Sequence, residues 1–446
     1  MTAMANDRTV AASGERDVLL TGMGFCLPGL DGPCFTADDV WAVASKGVSC
    51  LTRGDIYYGS VALTEKMFDE RLPDIPALYR QQLTRSHRLG LISFVQACAD
   101  GGLDFRAGDL TEAAILTGRG SVDDNVRVYR DLIEARPEEL TPDAAVGMFI
   151  QTQLGVTPYD VALLQASLAR TRGPSFSVTC GCSSSTIQLG NALRMIQAGE
   201  VEVAVVTGVD SGNAELARQG QGIFLAAERG GPAGAPGFVP DQLPSTDHPM
   251  HPYDERAGSV GFGEGSVTVV LESRAHAERR GARPHGRLLA QATTRDGLFS
   301  PLSVDIAGTA LVTGVRRCLG ERWSIDQIPY INGGSDGDPN VTNVEVNAVR
   351  ELYGPREPAV LLSSQEACFG HSGAQAGALG AALTTLMIAR GEVCPTAGCE
   401  RPAADLSFDP IPGTSTRPLD FDYALSFTYQ IGGLKAVILL GSPDAT

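Results

Sequence analysis

The chain has 446 residues, 43% hydrophobic and only 20% charged, enough to bury one large core or two fused ones. Its formal charge of −17 argues against nucleic acid and anionic membrane as partners, since both need clustered positive charge, and an acidic protein partner would need a local basic patch. No stretch reaches the roughly 18 uninterrupted apolar residues of a transmembrane helix, and the N-terminus lacks the charged-then-apolar order of a signal peptide, so a cytoplasmic protein is expected.

Residues 1–16 are polar and read as a mobile leader. DVLLTGMGFCLPG (17–29) is an apolar strand ending in Gly and Pro, the opening expected of an α/β domain. Residues 41–47 and 83–102 read as helices, the second with Leu89, Ile92 and Val95 on one stripe. A strand at 113–118 precedes a polar, helix-rich insertion over 119–160. SFSV (175–178) is again a strand, followed by the turn TCGCSSS and a helix whose Leu189, Ala192, Leu193 and Ile196 fall at i, i+3, i+4 and i+7. Ser183 and Ser184 suit the start of that helix and Gly199 its end. VEVAVVTGVDSG (201–212) reads as a buried strand. The Gly- and Pro-rich stretch 220–250 is a long surface loop with a lid or entrance role in view, and GFGEG after it runs into a β-branched strand rather than a helix, which rules out a phosphate loop.

The second half repeats the scheme, with strands near 286–292, 328–332, 359–363, 423–427 and 434–440. Within 358–391, Leu379, Ala382, Leu383 and Leu386 reproduce the earlier stripe shifted by 190, an offset that sends Cys182 to Ser372, beside His371. Two related halves about a pseudo-twofold axis would bring Cys182 and His371 to the centre from opposite sides.

Cys182 lies at a helix start, where unpaired N–H groups and the helix dipole favour an anion, hence the reactive form of a thiol; the plainer reading is a small core residue. The ten Cys lack the spacings of a disulfide framework and read as reduced, and neither Cys180-x-Cys182 nor Cys394 with Cys399 has zinc-ligand spacing, so no metal is expected. Of six His, His87, His276 and His285 sit among charged residues and read as solvated, His248 and His251 lie in the loop, and His371 alone sits in a Gly/Ala-rich turn.

VTCGCSSS, GHSGAQAGA and the HPYDERAG…GEG stretch together resemble the β-ketoacyl synthases of the thiolase superfamily, over about 17–441. The resemblance implies an α/β, thiolase-like fold with two related βαβαβαββ-type halves, 17–272 and 273–441, in a five-layered α-β-α-β-α arrangement, with 442–446 as a tail. It makes Cys182 the nucleophile and His371 the second catalytic His, with backbone N–H groups of Cys182 and Ile431 as the oxyanion hole. Tyr429, Gln430, Ile431, Gly334, Asp336 and Asp338 would line the pocket and gate, and 119–160 would help shape the acyl pocket and the dimer interface.

The chain also departs from that family. A first catalytic His is expected in a stretch like N-A-H-G-T-x-T-P, where Asn332-Gly333-Gly334-Ser335-Asp336-Gly337-Asp338-Pro339 places Gly334. Glu366 stands for a Lys five residues before His371, and Thr428-Tyr429-Gln430-Ile431-Gly432-Gly433 replaces S-F-G-F-G-G; Cys180 falls where the family has Thr. Decarboxylative condensation needs two neutral donors on the malonyl carbonyl, and one remains, whereas acyl transfer to Cys182 needs only a nucleophile and an oxyanion hole. Glu366 then reads as a general base for bond formation, or as a partner of a nearby Arg.

The implied activity loads an acyl group from the phosphopantetheine thioester of a carrier protein onto Cys182, without another cofactor. Non-decarboxylative C–C closure with lactonising release follows, as in ketosynthase-type bicyclases that build γ-lactam-β-lactones of the salinosporamide type. Alternatives are an ester- or amide-forming acyltransferase, an ordinary 3-oxoacyl carrier-protein synthase, and a non-catalytic chain-length-factor-like subunit. The expected partners are an acyl or peptidyl carrier protein and, in a homodimer, a second copy of the chain.

Overall fold

The computed structural model describes residues 16–120, 125–155, 160–211, 249–299, 304–355, 359–430 and 432–445. Nearly all of the leader, most of the 220–250 loop, His248 and Ile431 lie outside the described residues.

Ten strands make one sheet: β1 Val18–Cys26, β2 Ala114–Arg119, β3 Ser175–Thr179, β4 Val203–Asp210, β5 Gly265–Ser273, β6 Gly286–Arg295, β7 Tyr330–Asn332, β8 Leu361–Ser363, β9 Tyr423–Gln430 and β10 Leu434–Gly441. Every residue of β1, β4 and β5 is buried, which is why they read as continuous rather than alternating apolar runs.

The spatial order is β3-β2-β4-β5-β1-β6-β10-β9-β7-β8. Counted from each half's own first strand, both halves follow the order 3-2-4-5-1, and the pairing senses repeat as well. β2 is parallel to β3 and β4, as β7 is to β8 and β9, while β5 and β10 are antiparallel to both their neighbours. The internal repeat read from two helical stripes is therefore a repeat of topology. The halves meet edge to edge, Leu19 opposite Arg287 and Leu20 opposite Gly286.

Seven helices matter for the site: α1 Arg85–Asp100, α2 Asp160–Ala169, α3 Ser184–Ala198, α4 Thr309–Leu319, α5 Pro339–Tyr353, the short α6 Glu366–Phe369, and α7 Ala376–Arg390. Three apolar clusters show how they stack. One joins α1 and α2 to the first half and one joins α4 and α5 to the second, while the central one gathers Leu189, Leu193 and Ile196 of α3 with Leu379, Leu383 and Leu386 of α7. Helices thus lie outside, between and outside the two sheet halves, the five layers of a thiolase-like fold. α7 is buried from Ala376 to Ile388 with no polar face, as a helix in the middle layer must be.

His87 is not solvated. It is fully buried in α1, its Nδ1 accepting from the Thr84 N–H at 3.1 Å and its Nε2 3.1 Å from Asp160, where it ties α1 to α2. His251 is buried as well, its Nδ1 2.8 Å from the Gly398 carbonyl. Glu264 of GFGEG holds Arg85 at 2.7 Å and the Val61 N–H at 2.8 Å, a structural use of that stretch. Among the described residues no helix is long and apolar enough to cross a membrane.

Candidate active site

Cys182 sits in a single helical turn, Gly181–Ser183, between β3 and α3. Its Sγ lies 2.8 Å from His371 Nε2, although the two residues are 189 positions apart. The other ring nitrogen, Nδ1, is 3.1 Å from Glu366 Oε2. Thiol, imidazole and carboxylate therefore form a line, the ring in the middle using both nitrogens.

Each member is held by a different part of the fold. The backbone of His371 is strapped to the first half, its N–H donating to the Gly261 carbonyl at 2.7 Å and its own carbonyl accepting from the Gly263 N–H at 3.0 Å. Three residues on, the Ala374 N–H donates to Asp210 Oδ2 at 2.7 Å, and Asp210 Oδ1 accepts from the Gly120 N–H at 2.9 Å. Glu366 opens the four-residue α6, and its N–H donates to Ser364 Oγ at 3.3 Å.

Burial pulls the His371 pKa down, but the facing sulfur of Cys182 and the carboxylate of Glu366 outweigh it and hold it well above the usual imidazole value. A protonated His371 donates from both nitrogens, to sulfur on one side and carboxylate on the other. That arrangement suits a sulfur nucleophile with its base and a group that orients the base. No Arg pairs with Glu366 among the described contacts; its partner is His371.

The remaining expected site residues differ in how near they come to Cys182 and His371. Gln430, the last residue of β9, accepts from the Cys182 N–H through Oε1 at 2.8 Å and so touches the backbone of Cys182. Gly334 and Tyr429 touch each other: a Cβ at 334 would stand 2.8 Å from the Phe427 carbonyl oxygen and 2.9 Å from Tyr429 Cε2, so the ring fills the space a side chain there would enter. Asp336 is buried close enough to His371 for each to feel the other's charge. Burial, with Asp338 and Glu366, pushes its carboxyl up to about 6, while His371 pulls it down. Asp338 is a helix cap, its side chain accepting from the Asn340 N–H at 2.8 Å at the start of α5. Ile431 lies outside the described residues.

One further residue completes the site. Glu345 of α5 is fully buried and accepts three hydrogen bonds, from Tyr253 Oη at 2.7 Å, Tyr429 Oη at 2.9 Å and the Gly334 N–H at 2.8 Å. It thereby pins the Tyr429 ring beside Gly334. A signal for it exists in the sequence: Thr342, Glu345, Val346 and Val349 fall at i, i+3, i+4 and i+7 of α5, which places a carboxylate on the buried stripe.

Family models match nearly the whole chain, "Beta-ketoacyl synthase, N-terminal domain" over residues 15–277 and "Beta-ketoacyl synthase, C-terminal domain" over residues 285–400. The chain belongs to the β-ketoacyl synthase family. It is 25% identical over 439 residues to the 3-oxoacyl-[acyl-carrier-protein] synthase 2 of Vibrio harveyi, covering 95% of this chain and 98% of that protein. A Streptomyces cyaneus protein assigned as a polyketide β-ketoacyl synthase 1 is likewise 25% identical, over 96% of this chain and 98% of its own length. Among solved structures, one chain of the complex of a type II polyketide synthase acyl carrier protein with its ketosynthase bound to the hexaketide has the same fold, with a TM-score of 0.75 at 18% identity, covering 96% of this chain and 100% of that one. Within this ketosynthase fold, the Cys182 turn and the His371 turn meet across the two halves.

Proposed function

We propose that this ketosynthase takes an acyl group from the phosphopantetheine thioester of a carrier protein onto Cys182 and joins bonds within that acyl chain without decarboxylation. The observation that carries the reading is the 2.8 Å contact of Cys182 Sγ with His371 Nε2, backed by Glu366. In loading, sulfur attacks the thioester carbon, the carbonyl oxygen takes the electron pair, and its return expels the phosphopantetheine thiolate, which leaves with the proton of His371. Loading therefore leaves His371 neutral beside the new thioester, which makes it the base for the next step.

That base takes an α-proton of the acyl chain, the enolate carbon bonds to a carbonyl carbon of the same chain, and the resulting alkoxide attacks the Cys182 thioester. A lactone departs, the C–S bond breaks, and the thiolate facing a protonated His371 is restored. Glu366 touches His371 and not the sulfur, so it acts as a positioning residue rather than as the base itself. Ordinary elongation is disfavoured because the second carbonyl donor is missing at Gly334 and the Tyr429 ring occupies its space. The retained Cys182–His371 contact speaks against a non-catalytic subunit.

An acyl or peptidyl carrier protein is the proposed partner, in keeping with the solved complex of a related-fold ketosynthase with its acyl carrier protein. β3 ends the sheet, and its outer edge, unpaired among the described residues, supports pairing with a second copy in a homodimer.

The test is intact mass after incubation with acyl-loaded carrier proteins. Wild type and Cys180→Ala should gain the acyl mass and Cys182→Ala should not; malonyl carrier should release CO₂ about 10²–10³ slower than with an ordinary ketosynthase, the cost of one missing donor. An adduct that survives Cys182→Ala, or CO₂ release at the ordinary rate, overturns the proposal. Detection of a ring-closed product separates C–C closure from simple ester formation.

A further inference from the structure

The Cys182 N–H is the group that would receive the carbonyl oxygen of a thioester during attack by its own sulfur. It already has an acceptor, Gln430 Oε1, at 2.8 Å. The amide lies directly on Gly181, whose φ of +52° favours glycine and where a Cβ would fall 1.5 Å from Gln430 Oε1 and 2.1 Å from its Cδ. Behind Gln430 the chain turns through Gly432 (φ 90°) and Gly433 (φ 83°), and beyond them Lys435 is fixed by a buried 2.9 Å ion pair with Asp296. The Gly433 N–H donates to the Gln430 carbonyl at 3.2 Å, so the Gln430 backbone is held and its amide can leave only by rotation of the side chain.

We infer that Gln430 is a selectivity gate, its side-chain carbonyl occupying the oxyanion position of Cys182 in the empty enzyme so that a thioester must displace it before acylation. This rests on the acyl-transfer reading above and adds to it a residue that decides which acyl groups load. An amide oxygen accepts hydrogen bonds better than a thioester oxygen, so the thioester does not win the N–H on its own. The rest of the acyl chain has to supply the difference by its binding, and short or loosely held acyl groups cannot. A donor of this kind is worth about 10²–10³ in rate, which bounds the effect of uncovering it.

Three measurements test the gate, on wild type, Gln430→Met and Gln430→Ala. Acylation by an acetyl N-acetylcysteamine thioester should rise about tenfold or more in both variants, within the bound of one oxyanion donor. Alkylation by iodoacetamide, which needs no oxyanion donor, should stay at the wild-type rate, and amide hydrogen exchange at Cys182 should speed up as its acceptor is lost. Acylation unchanged or slowed with alkylation intact overturns the inference, and loss of alkylation in both variants does so too, since Gln430 is then structural. If wild type and variants are all alkylated but none takes the acetyl group or any carrier-borne acyl group, the acyl-transfer reading fails. The exchange rate at Cys182 then still decides whether the cap exists.

Discussion

Glu366 shows how one residue's role depends on which neighbour it meets. In sequence it is a carboxylate five positions before a histidine, open to reading as a base for the substrate or as an ion-pair partner of Arg. In the fold its partner is His371 Nδ1 at 3.1 Å and, among the described residues, not an Arg. Its removal should therefore act through the imidazole. With Glu366→Gln the His371 pKa falls back, because one of the two groups raising it is gone, and the facing sulfur loses part of its counter-ion. Iodoacetamide labelling of Cys182 should drop about tenfold near neutral pH, as expected for a charged hydrogen bond of about 1.5 kcal/mol, and the two proteins should converge at alkaline pH, where His371 is neutral in both. A uniform loss at every pH would mean that Glu366 only supports the fold. Cys180 offers no competing nucleophile: burial pushes its thiol up, and His371 is not its partner.

At the level of elements, what the sequence made legible is what is local. The stripe on α3, its start at Ser184 and its end at Gly199 are set by neighbours within a few positions, and the structure has them there. The shift of 190 between stripes placed α3 and α7 side by side, because two helices with the same buried face share the layer between two like halves. What could not be read is what fills a gap. Gly334 in sequence is only the absence of a histidine; in the fold it is the floor under Tyr429, which Glu345 holds there, and these residues are set by three separate elements. A histidine installed at Gly334 alone therefore does not restore a carbonyl donor. It would meet the Phe427 carbonyl at 2.8 Å and the Tyr429 ring at 2.9 Å. We expect Gly334→His to lose about 1–3 kcal/mol of stability from overpacking, read by urea titration, with no gain in CO₂ release from malonyl carrier. A gain without loss of stability would show that the ring moves aside freely. His87 is buried against the sequence expectation for a related reason: its charged neighbours in sequence point to the surface, while its partner Asp160 lies 73 positions away.

Over the whole molecule, the buried Glu345 couples the site to global stability. Burial pushes its carboxyl up from 4.5 to about 7, against the pull of the hydrogen bonds from Tyr253, Gly334 and Tyr429. The folded chain then holds a proton that the unfolded chain has already released above about pH 4.5, so this group's contribution falls as pH rises towards 7. Relative to Glu345→Gln, which does not titrate, wild type should lose about 3 kcal/mol of unfolding free energy across that window, at about 1.4 kcal/mol per pKa unit. Denaturant titrations of both proteins at several pH values give the difference directly, and a difference that does not change with pH would mean Glu345 stays ionised throughout.

The site is built across the seam between the halves, with Cys182 on one side and His371, Glu366 and Gln430 on the other. That division has a meaning in time as well as in space. A ribosome makes Cys182 first and reaches His371 only 189 residues later, an interval of about 10–40 s at ordinary rates of synthesis. Throughout it the Cys182 thiol cannot meet His371. The contact of Cys182 with His371 can therefore form only after both halves have been made and have closed on each other.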